Sequence, residues 1–371
     1  MNAEKIRIYR HQPRSVLADR KEKVYCVRAA RDRLAIYQEE QMKVLLYFEG
    51  QHMIRRSGIG HAMRHQMAAL DTQGIEWTLN EKDDYDILHL NTVGVASERI
   101  AKKARREGKK IVVHAHSTQE DFQNSFLFSN QMSSLFKKRL MQVYQLGDRI
   151  VTPTLYSKRL LEGYGITIPI DAISNGVDLA RFARDERKIA AYRAHFHLEG
   201  RKSVICVGLP FERKGIFDFI EVASQLPEVT FIWFGKVPLY TVPAKIRRIV
   251  KGAHPPNVIF PGYVEGDVLE GAYAGADAFF FPSKEETEGI VVLEALAASQ
   301  QVILRDIPVF SDWLTHGVNC WKGKDADEFR ALVNAAVHHK LKDIRPQALQ
   351  CAQERSFAEV GKALRAVYEQ L

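Results

Sequence analysis

The stretch Ala278 to Leu296, AFFFPSKEETEGIVVLEAL, reads as a buried strand, an acidic turn and a helix that opens near Gly289. A strand that runs directly into a helix N-terminus belongs to an α/β fold. It leaves backbone N–H groups pointing out of the sheet edge, where the helix dipole favours negative charge. Glu286 lies in the turn and Glu294 lies further along the helix, so two carboxylates bracket a place suited to phosphate. Carboxylates accept hydroxyl hydrogen bonds, which suits a sugar at one end and a ribose at the other. A plainer reading stands beside this one: the acidic residues complement the helix dipole and Glu294 is a solvated face.

Working outward, the same strand-to-helix alternation fills the chain from Met42 onward. Strands are expected at Val44–Phe48, Glu76–Leu79, Ile87–Asn91, Ile111–His114, Arg149–Thr152 and Asp171–Ile173, with helices between them. The pattern breaks at Ser174-Asn175-Gly176-Val177-Asp178. It restarts with strands at Val204–Val207, Thr230–Phe234, Val258–Phe260, Ala278–Phe281 and Val302–Leu304. This predicts two doubly wound α/β domains of Rossmann-like type, residues 42–200 and 201–371, facing across a cleft, with the last helix returning to the first domain. Residues 1–41 carry ten Lys or Arg against six Asp or Glu, so about half of the net charge of +8 sits there. Two readings of that segment stay open: an upstream misread ahead of a natural start at Met42, or a basic arm on a membrane surface.

At 371 residues the chain has room for two cores, and its 46% hydrophobic and 26% charged content is that of a globular protein. No apolar run reaches the roughly 18–20 residues of a membrane span. Four scattered cysteines without a CxxC pair argue against structural zinc. The basic charge points to an anionic partner. A nucleic-acid binder is disfavoured because the basic clusters are short and no recognition fold accompanies them.

Several motifs fall at predicted strand ends. Gly58 and Gly60 open the first helix and let the backbone approach a phosphate, although Met63 stands where a dinucleotide fingerprint needs a third small residue. His114 and His116 share one face of the fourth strand, and His116 is expected to touch substrate hydroxyls while the other ring orients it; a metal site with Asp121 as third ligand and satisfied structural histidines are the alternatives. Arg213 and Lys214 stand at a strand-to-helix turn, a fork and a point charge suited to a diphosphate. Asp84-Tyr85-Asp86 precedes its strand and Asp325-Ala326-Asp327 begins a helix, so neither argues for a metal. Phe122, Phe126, Phe136, Lys137, Lys138 and Arg139 set aromatic residues beside cations, as at an anionic lipid surface. Ordinary packing with a solvated basic edge is the alternative.

Together the Gly58-Ile59-Gly60 loop, His114 with His116, Asn175-Gly176-Val177-Asp178, Arg213-Lys214-Gly215, Phe234-Gly235, and Glu286 with Glu294 resemble the family 4 retaining glycosyltransferases of the two-domain GT-B type. The resemblance covers residues 42–371. It departs at Leu209, where many members place the phosphate arginine. A narrower resemblance, in MKVLLYFEG, SGIGHAMRHQ, HAHSTQEDFQNSF, TPTLYSK, FERKGI and EETEGIVVLEAL, is to the glycolipid synthases of low-GC Gram-positive bacteria that add a second hexose to monoglucosyldiacylglycerol. That resemblance implies a UDP-galactose or UDP-glucose donor, an α-linkage, and an enzyme peripheral to the cytoplasmic face of the membrane; Arg213 and Lys214 as two preformed cations lead to the expectation that no metal cofactor is needed. The resemblance also implies roles for the residues. His116, Arg213, Lys214 and Glu286 would serve the reacting groups, whereas Gly58, Gly60, Asn175, Gly235, Gly289, Ile290, Val291 and Glu294 would bind the nucleotide sugar. A first-step diacylglycerol glucosyltransferase and a soluble transferase of polysaccharide synthesis share every donor motif and are the alternatives.

Overall fold

The computed structural model describes residues 42–50 and 58–371; the expectations for residues 1–41 and for the loop at 51–57 lie outside the described residues. From Lys43 to Leu371 the chain forms one compact unit that contains two parallel sheets of six strands each. The first sheet holds β1 (Lys43–Tyr47), β2 (Glu76–Thr78), β3 (Ile87–Leu90), β4 (Lys110–His114), β5 (Arg149–Thr152) and β6 (Ile170–Ala172), in the order β2-β1-β3-β4-β5-β6. The second holds β7 (Lys202–Val207), β8 (Val229–Phe234), β9 (Val258–Gly262), β10 (Ala278–Phe281), β11 (Val302–Arg305) and β12 (Trp321–Gly323), in the order β12-β11-β10-β7-β8-β9.

Helices cross between the strands. In the first half these are α1 (Gly58–Asp71), α2 (Val95–Arg106), the short α3 (Gln119–Phe122), α4 (Ser129–Tyr144) and α5 (Leu155–Gly163). Then come α6 (Leu179–Phe182) and α7 (Glu186–His195) at the crossover, and α8 (Ile216–Ser224), α9 (Ala244–Val250), α10 (Asp267–Gly275), α11 (Ile290–Ala297) and α12 (Ala326–Val337) around the second sheet. The chain closes with α13 (Arg345–Gln353) and α14 (Phe357–Tyr368).

The strands are apolar on both faces because helices cover both faces. All six residues of β8 and all four of β10 are buried, and Phe219, Phe231, Trp233 and Phe280 pack edge to face or stacked in the core of the second sheet. A smaller core under the first sheet gathers Leu45, Leu88, Leu90, Ile111, Val113 and Ile150. Strand β12 was not expected, since three residues ending in Gly323 carry no alternating or apolar run; pairing with β11 makes it a strand.

The order of each sheet reverses once, between β1 and β3 and between β10 and β7. In open parallel sheets ligands sit outside the carboxyl ends of the strands at such a reversal. Close backbone approach shapes the second of these points. Gly235 has φ +145°, and a Cβ there would lie 2.0 Å from the Gly208 carbonyl oxygen; at Gly215 (φ +77°) it would meet the Pro282 carbonyl oxygen at 2.3 Å. The backbone therefore turns sharply at the ends of β7, β8 and β10.

The last helix lies on the first half of the chain. Gly361 of α14 meets the Ala69 carbonyl of α1, Arg365 donates to the Gln73 carbonyl oxygen at 2.5 Å, and Tyr368 reaches His89. Helices α7 and α10 also pack closely, since a Cβ on Gly271 would stand 1.9 Å from the Lys188 carbonyl oxygen. Gly271→Ala should therefore destabilise the protein by about 1–3 kcal/mol through overpacking, although alanine is the better helix former by about 1 kcal/mol. Gly163→Ala, where an added methyl meets nothing, should leave stability equal or higher. Denaturant unfolding of the two variants checks the pair.

Candidate active site

The loops after β7 and β10 bring Arg213, Lys214, Ser283 and Glu286 together. Gly215, left-handed after a turn of 3-10 helix over Glu212–Lys214, sends the chain into α8 and leaves both cations at the sheet edge. Lys214 Nζ pairs with Glu286 Oε1, which also accepts from Ser283 Oγ at 2.6 Å. Burial pushes the Lys214 ammonium below its ordinary value, the Glu286 charge opposes that, and the Arg213 charge adds to it. Its Nζ also lies 5.4 Å from the Phe281 ring centroid.

Arg213 spans the two halves of the chain. Its Nε donates to Ser125 Oγ at 2.7 Å, and Nη1 pairs with Asp121 at 2.9 Å and donates to the Glu285 carbonyl oxygen at 3.1 Å. Asp121 and Ser125 follow β4 in the first half, so this guanidinium joins the two sheet edges. These bonds use Nε and Nη1; the planar fork still offers the N–H groups of Nη2 to an anion.

Helix α11 opens at Gly289, left-handed at φ +89°, without a side-chain cap. The amides of Ile290 and Val291 thus begin the helix that follows β10, the strand beside β7, and partial positive charge gathers there. One and a half turns on, Glu294 is buried and accepts from Tyr273 Oη at 2.5 Å. Burial raises its carboxyl to about 7, while the Tyr273 hydroxyl and the Arg181 and Arg64 charges act the other way. Glu285, beside the Tyr156 hydroxyl at 3.0 Å, is likewise raised to about 7 by burial.

The first half contributes histidines. His116 Nε2 lies 2.9 Å from Asn91 Oδ1, and its ring stacks on His114 at 3.9 Å. Because the Asn91 amide nitrogen is committed to the His89 carbonyl at 3.2 Å, Asn91 Oδ1 accepts and His116 Nε2 carries the proton. Burial lowers His116 to about 3, so the ring is neutral and Nδ1 remains an acceptor. Behind it His114 touches His89 at 3.2 Å, and His89 touches the Tyr368 hydroxyl at 2.7 Å.

Asn175 falls elsewhere. Its backbone N and its Nδ2 both donate to Glu288 Oε2, at 3.1 and 2.7 Å, deep at the crossover. It orders the acidic turn through Glu288 and does not line the cradle between Glu286 and Glu294. Gly58 and Gly60 open α1, and two histidines further along that helix, His61 and His65, come close to Glu294. Burial, with the Arg64 charge, brings His61 and His65 to about 4. Ser125, Tyr273, His61 and His65 were not singled out from the sequence, and Asp121, a candidate third metal ligand beside His114 and His116, instead pairs with Arg213. HxxxH at 61 and 65 was the one visible signal, since its spacing puts two rings on one helix face.

The lipid-facing set also needs correction. Phe122 stacks on Phe136 at 4.2 Å, Lys137 sits 4.0 Å over the Tyr164 ring, and Arg139 is bound to Glu98 and to the Val93 and Gly94 carbonyls. Those four side chains are engaged within the protein. Phe126 and Lys138 are exposed, and with them Leu127, Phe128, Met132 and Leu135. Met132 and Leu135 share one face of α4, and Phe128 is the left-handed residue that caps its start.

The two-sheet fold sets cations, carboxylates and a helix N-terminus at the carboxyl ends of adjacent strands, an arrangement suited to a phosphate-bearing ligand. The chain belongs to the family 4 glycosyltransferases: residues 16–181 match the model "Glycosyltransferase Family 4", and residues 189–353 match "Glycosyl transferases group 1". It is 45% identical over 332 residues to the processive diacylglycerol alpha-glucosyltransferase of Acholeplasma laidlawii, covering 89% of this chain and 98% of that one. It is 25% identical over 284 residues to the alpha-galactosylglucosyldiacylglycerol synthase of Streptococcus pneumoniae, covering 75% of this chain and 76% of that one. The fold matches HepE of Anabaena, solved with UDP-glucose, at a TM-score of 0.72 and 16% identity over 89% of this chain and all of that one. It also matches the sucrose-phosphate synthase of Thermosynechococcus elongatus, at 0.66 and 16% over 89% and 98%. The architecture is thus GT-B.

The raised carboxyls make a checkable statement about stability. Glu294 and Glu285 hold their protons in the folded chain up to about 7, against an ordinary 4.5. Such groups favour the fold fully below their unfolded value, and that contribution is lost as pH rises through the folded one. Glu294→Gln should raise the Tm relative to wild type at pH 8, with the gain shrinking towards pH 5. An advantage independent of pH would contradict a buried, proton-holding Glu294.

Proposed function

We propose that this protein transfers glucose from UDP-glucose to a diacylglycerol-based acceptor at a membrane surface, forming an α-linkage with retention. One observation carries this reading: Lys214, Glu286, Arg213 and the uncapped start of α11 converge where the second sheet reverses. The expectation of a second-step enzyme restricted to monoglucosyldiacylglycerol, with galactose as one donor, gives way to its alternative of a diacylglycerol glucosyltransferase. The 45% relative is a processive diacylglycerol glucosyltransferase, whereas the galactosyl synthase stands at 25%. Glucose addition to diacylglycerol itself, repeated on the product, fits that likeness.

In this scheme the Nη2 edge of Arg213, Lys214 and the Ile290 and Val291 amides stabilise charge that develops on the departing diphosphate. Such preorganised electrostatics is usually the largest catalytic contribution. Glu294 holds the ribose hydroxyls and Glu286 those of the hexose. His116 Nδ1 accepts a hydroxyl hydrogen bond from the opposite face. The acceptor oxygen attacks C1 as the C1–O bond to UDP breaks through an oxocarbenium-like state, and the acceptor proton passes to the departing phosphate oxygen. Two fixed cations do the work of a metal, so none is required.

No helix among the described residues is long and apolar enough to cross a membrane. The exposed face of Phe128, Met132 and Leu135, with Lys138 beside it, is the proposed point of contact with lipid. Residues 122–135 also lead to Asp121 and Ser125, which bond Arg213, so the lipid-facing segment lies next to the donor site.

Lys214→Ala should lower kcat by about two to three orders of magnitude, the size of effect seen when one charge-stabilising donor is removed. Incubating the wild type with UDP-glucose and diacylglycerol in EDTA should still yield glycolipid by mass analysis. Complete loss restored by magnesium would refute the metal-free scheme. Leu135→Ser combined with Phe128→Ser should weaken sedimentation with anionic vesicles and leave slow UDP-glucose hydrolysis in solution unchanged. Equal sedimentation would return this face to ordinary exposed apolar surface.

A further inference from the structure

A second chemistry is written into the same cleft. His61 and His65, one turn apart on α1, and Glu294 on α11 each offer a ligand atom, and these atoms all lie within 4.8 Å of one another. Imidazoles four residues apart share a helix face and can bind one ion together, as in zinc sites of the HxxxH kind. The second-sphere geometry of a metal-binding histidine is also present: His65 Nδ1 lies 2.9 Å from the Gly176 carbonyl oxygen, which fixes the ring and directs Nε2 to bind. Metal binding would release the Glu294 proton to solvent, and the resulting carboxylate, with about four lone-pair sites, can keep accepting from Tyr273 and serve a cation as well. The neighbouring Arg181 is committed to Glu270 at 2.7 Å, which offsets its charge. Zn–N bonds of about 2.0–2.1 Å set tetrahedral ligand atoms roughly 3.3 Å apart, against the 4.8 Å within which the three atoms lie here.

We propose that His61, His65 and Glu294 form a binding site for a borderline divalent transition ion, Zn2+ above all, that joins α1 to α11 and competes with the nucleotide donor. Two imidazoles and one carboxylate select zinc, cobalt or nickel over magnesium or calcium. The site is inhibitory, because the carboxylate it takes is the one assigned to the ribose. The competition rests on that assignment; the metal site does not.

The test uses the full chain without donor, titrated with Zn2+ against a chromophoric chelator. One equivalent should bind, and His61→Gln and His65→Gln should each weaken it at least about tenfold, with circular dichroism spectra matching wild type. Co2+ should give the visible absorption of a low-coordinate N,O site, lost in both variants. Absence of stoichiometric binding, or binding undiminished in both variants, overturns the proposal. UDP titration of the zinc-loaded and metal-free wild type then separates the two readings. A lower UDP affinity with zinc supports competition. Equal affinity removes the inhibitory role and the ribose assignment of Glu294, while a failed zinc titration leaves that assignment to be judged by Glu294→Gln on UDP binding alone.

Discussion

The pairing of Lys214 with Glu286, buried at the carboxyl edge of the second sheet, is the constraint on which the site depends. Two charges taken out of water need near-ideal partners to be tolerated. Ser283 supplies one hydrogen bond and the Phe281 ring gives the ammonium a favourable face. Both come from the end of β10, whereas Lys214 comes from the end of β7, so the pair fixes the spacing of two loops where the sheet order reverses. Removing either partner would leave an uncompensated buried charge, and close backbone contacts at Gly215 and Gly235 hold the same loops.

Around this pair the two halves of the chain are joined by polar contacts at several depths. Arg213 reaches Asp121 and Ser125 across the cleft. Thr154 and Ser157 at the start of α5 both donate to the Thr287 carbonyl oxygen, at 2.9 and 3.0 Å. Asn175 ties the crossover to Glu288. Apolar contacts cross as well, with Phe126 against Phe211 at 4.8 Å. The acidic turn at 283–288 has a second duty: its side chains and carbonyls receive donors from the first half as well as facing substrate. This accounts for the three glutamates Glu285, Glu286 and Glu288 standing so close together. They point to three different partners, Tyr156, Lys214 and Asn175.

Most of the architecture was legible in the chain because parallel strands covered on both faces are continuous apolar runs separated by helices. Phe279-Phe280-Phe281 and Phe231-Ile232-Trp233-Phe234 admit little else. Strand β12 was not legible, since Trp321–Gly323 is extended only because β11 offers it a ladder. Of the residues expected at a lipid surface, Phe126 and Lys138 are exposed and the other four are engaged within the protein. Aromatic and basic residues between 122 and 139 were visible, but composition does not tell which of them stack inward. Phe122, Phe136, Lys137 and Arg139 find partners in Tyr164, Glu98 and one another, and the apolar face left to solvent is Phe128, Met132 and Leu135.

The sequence by itself determined the class of fold, the strand ends at which chemistry collects, and the residue types there, Arg213, Lys214, Glu286 and Glu294, because strand and helix periods and helix-start signals are local properties. Only the tertiary structure decided which groups meet. Asp121 with Arg213, Tyr273 with Glu294, Asn175 with Glu288, and His61 and His65 with Glu294 are separated by 21 to more than 200 positions in the chain. Their encounters follow from the reversal of each sheet and the return of α14 onto α1. Hydrogen-bond partnership is set by distance in space and by the cost of burying an unpaired polar group, and neither quantity has a local signature in sequence.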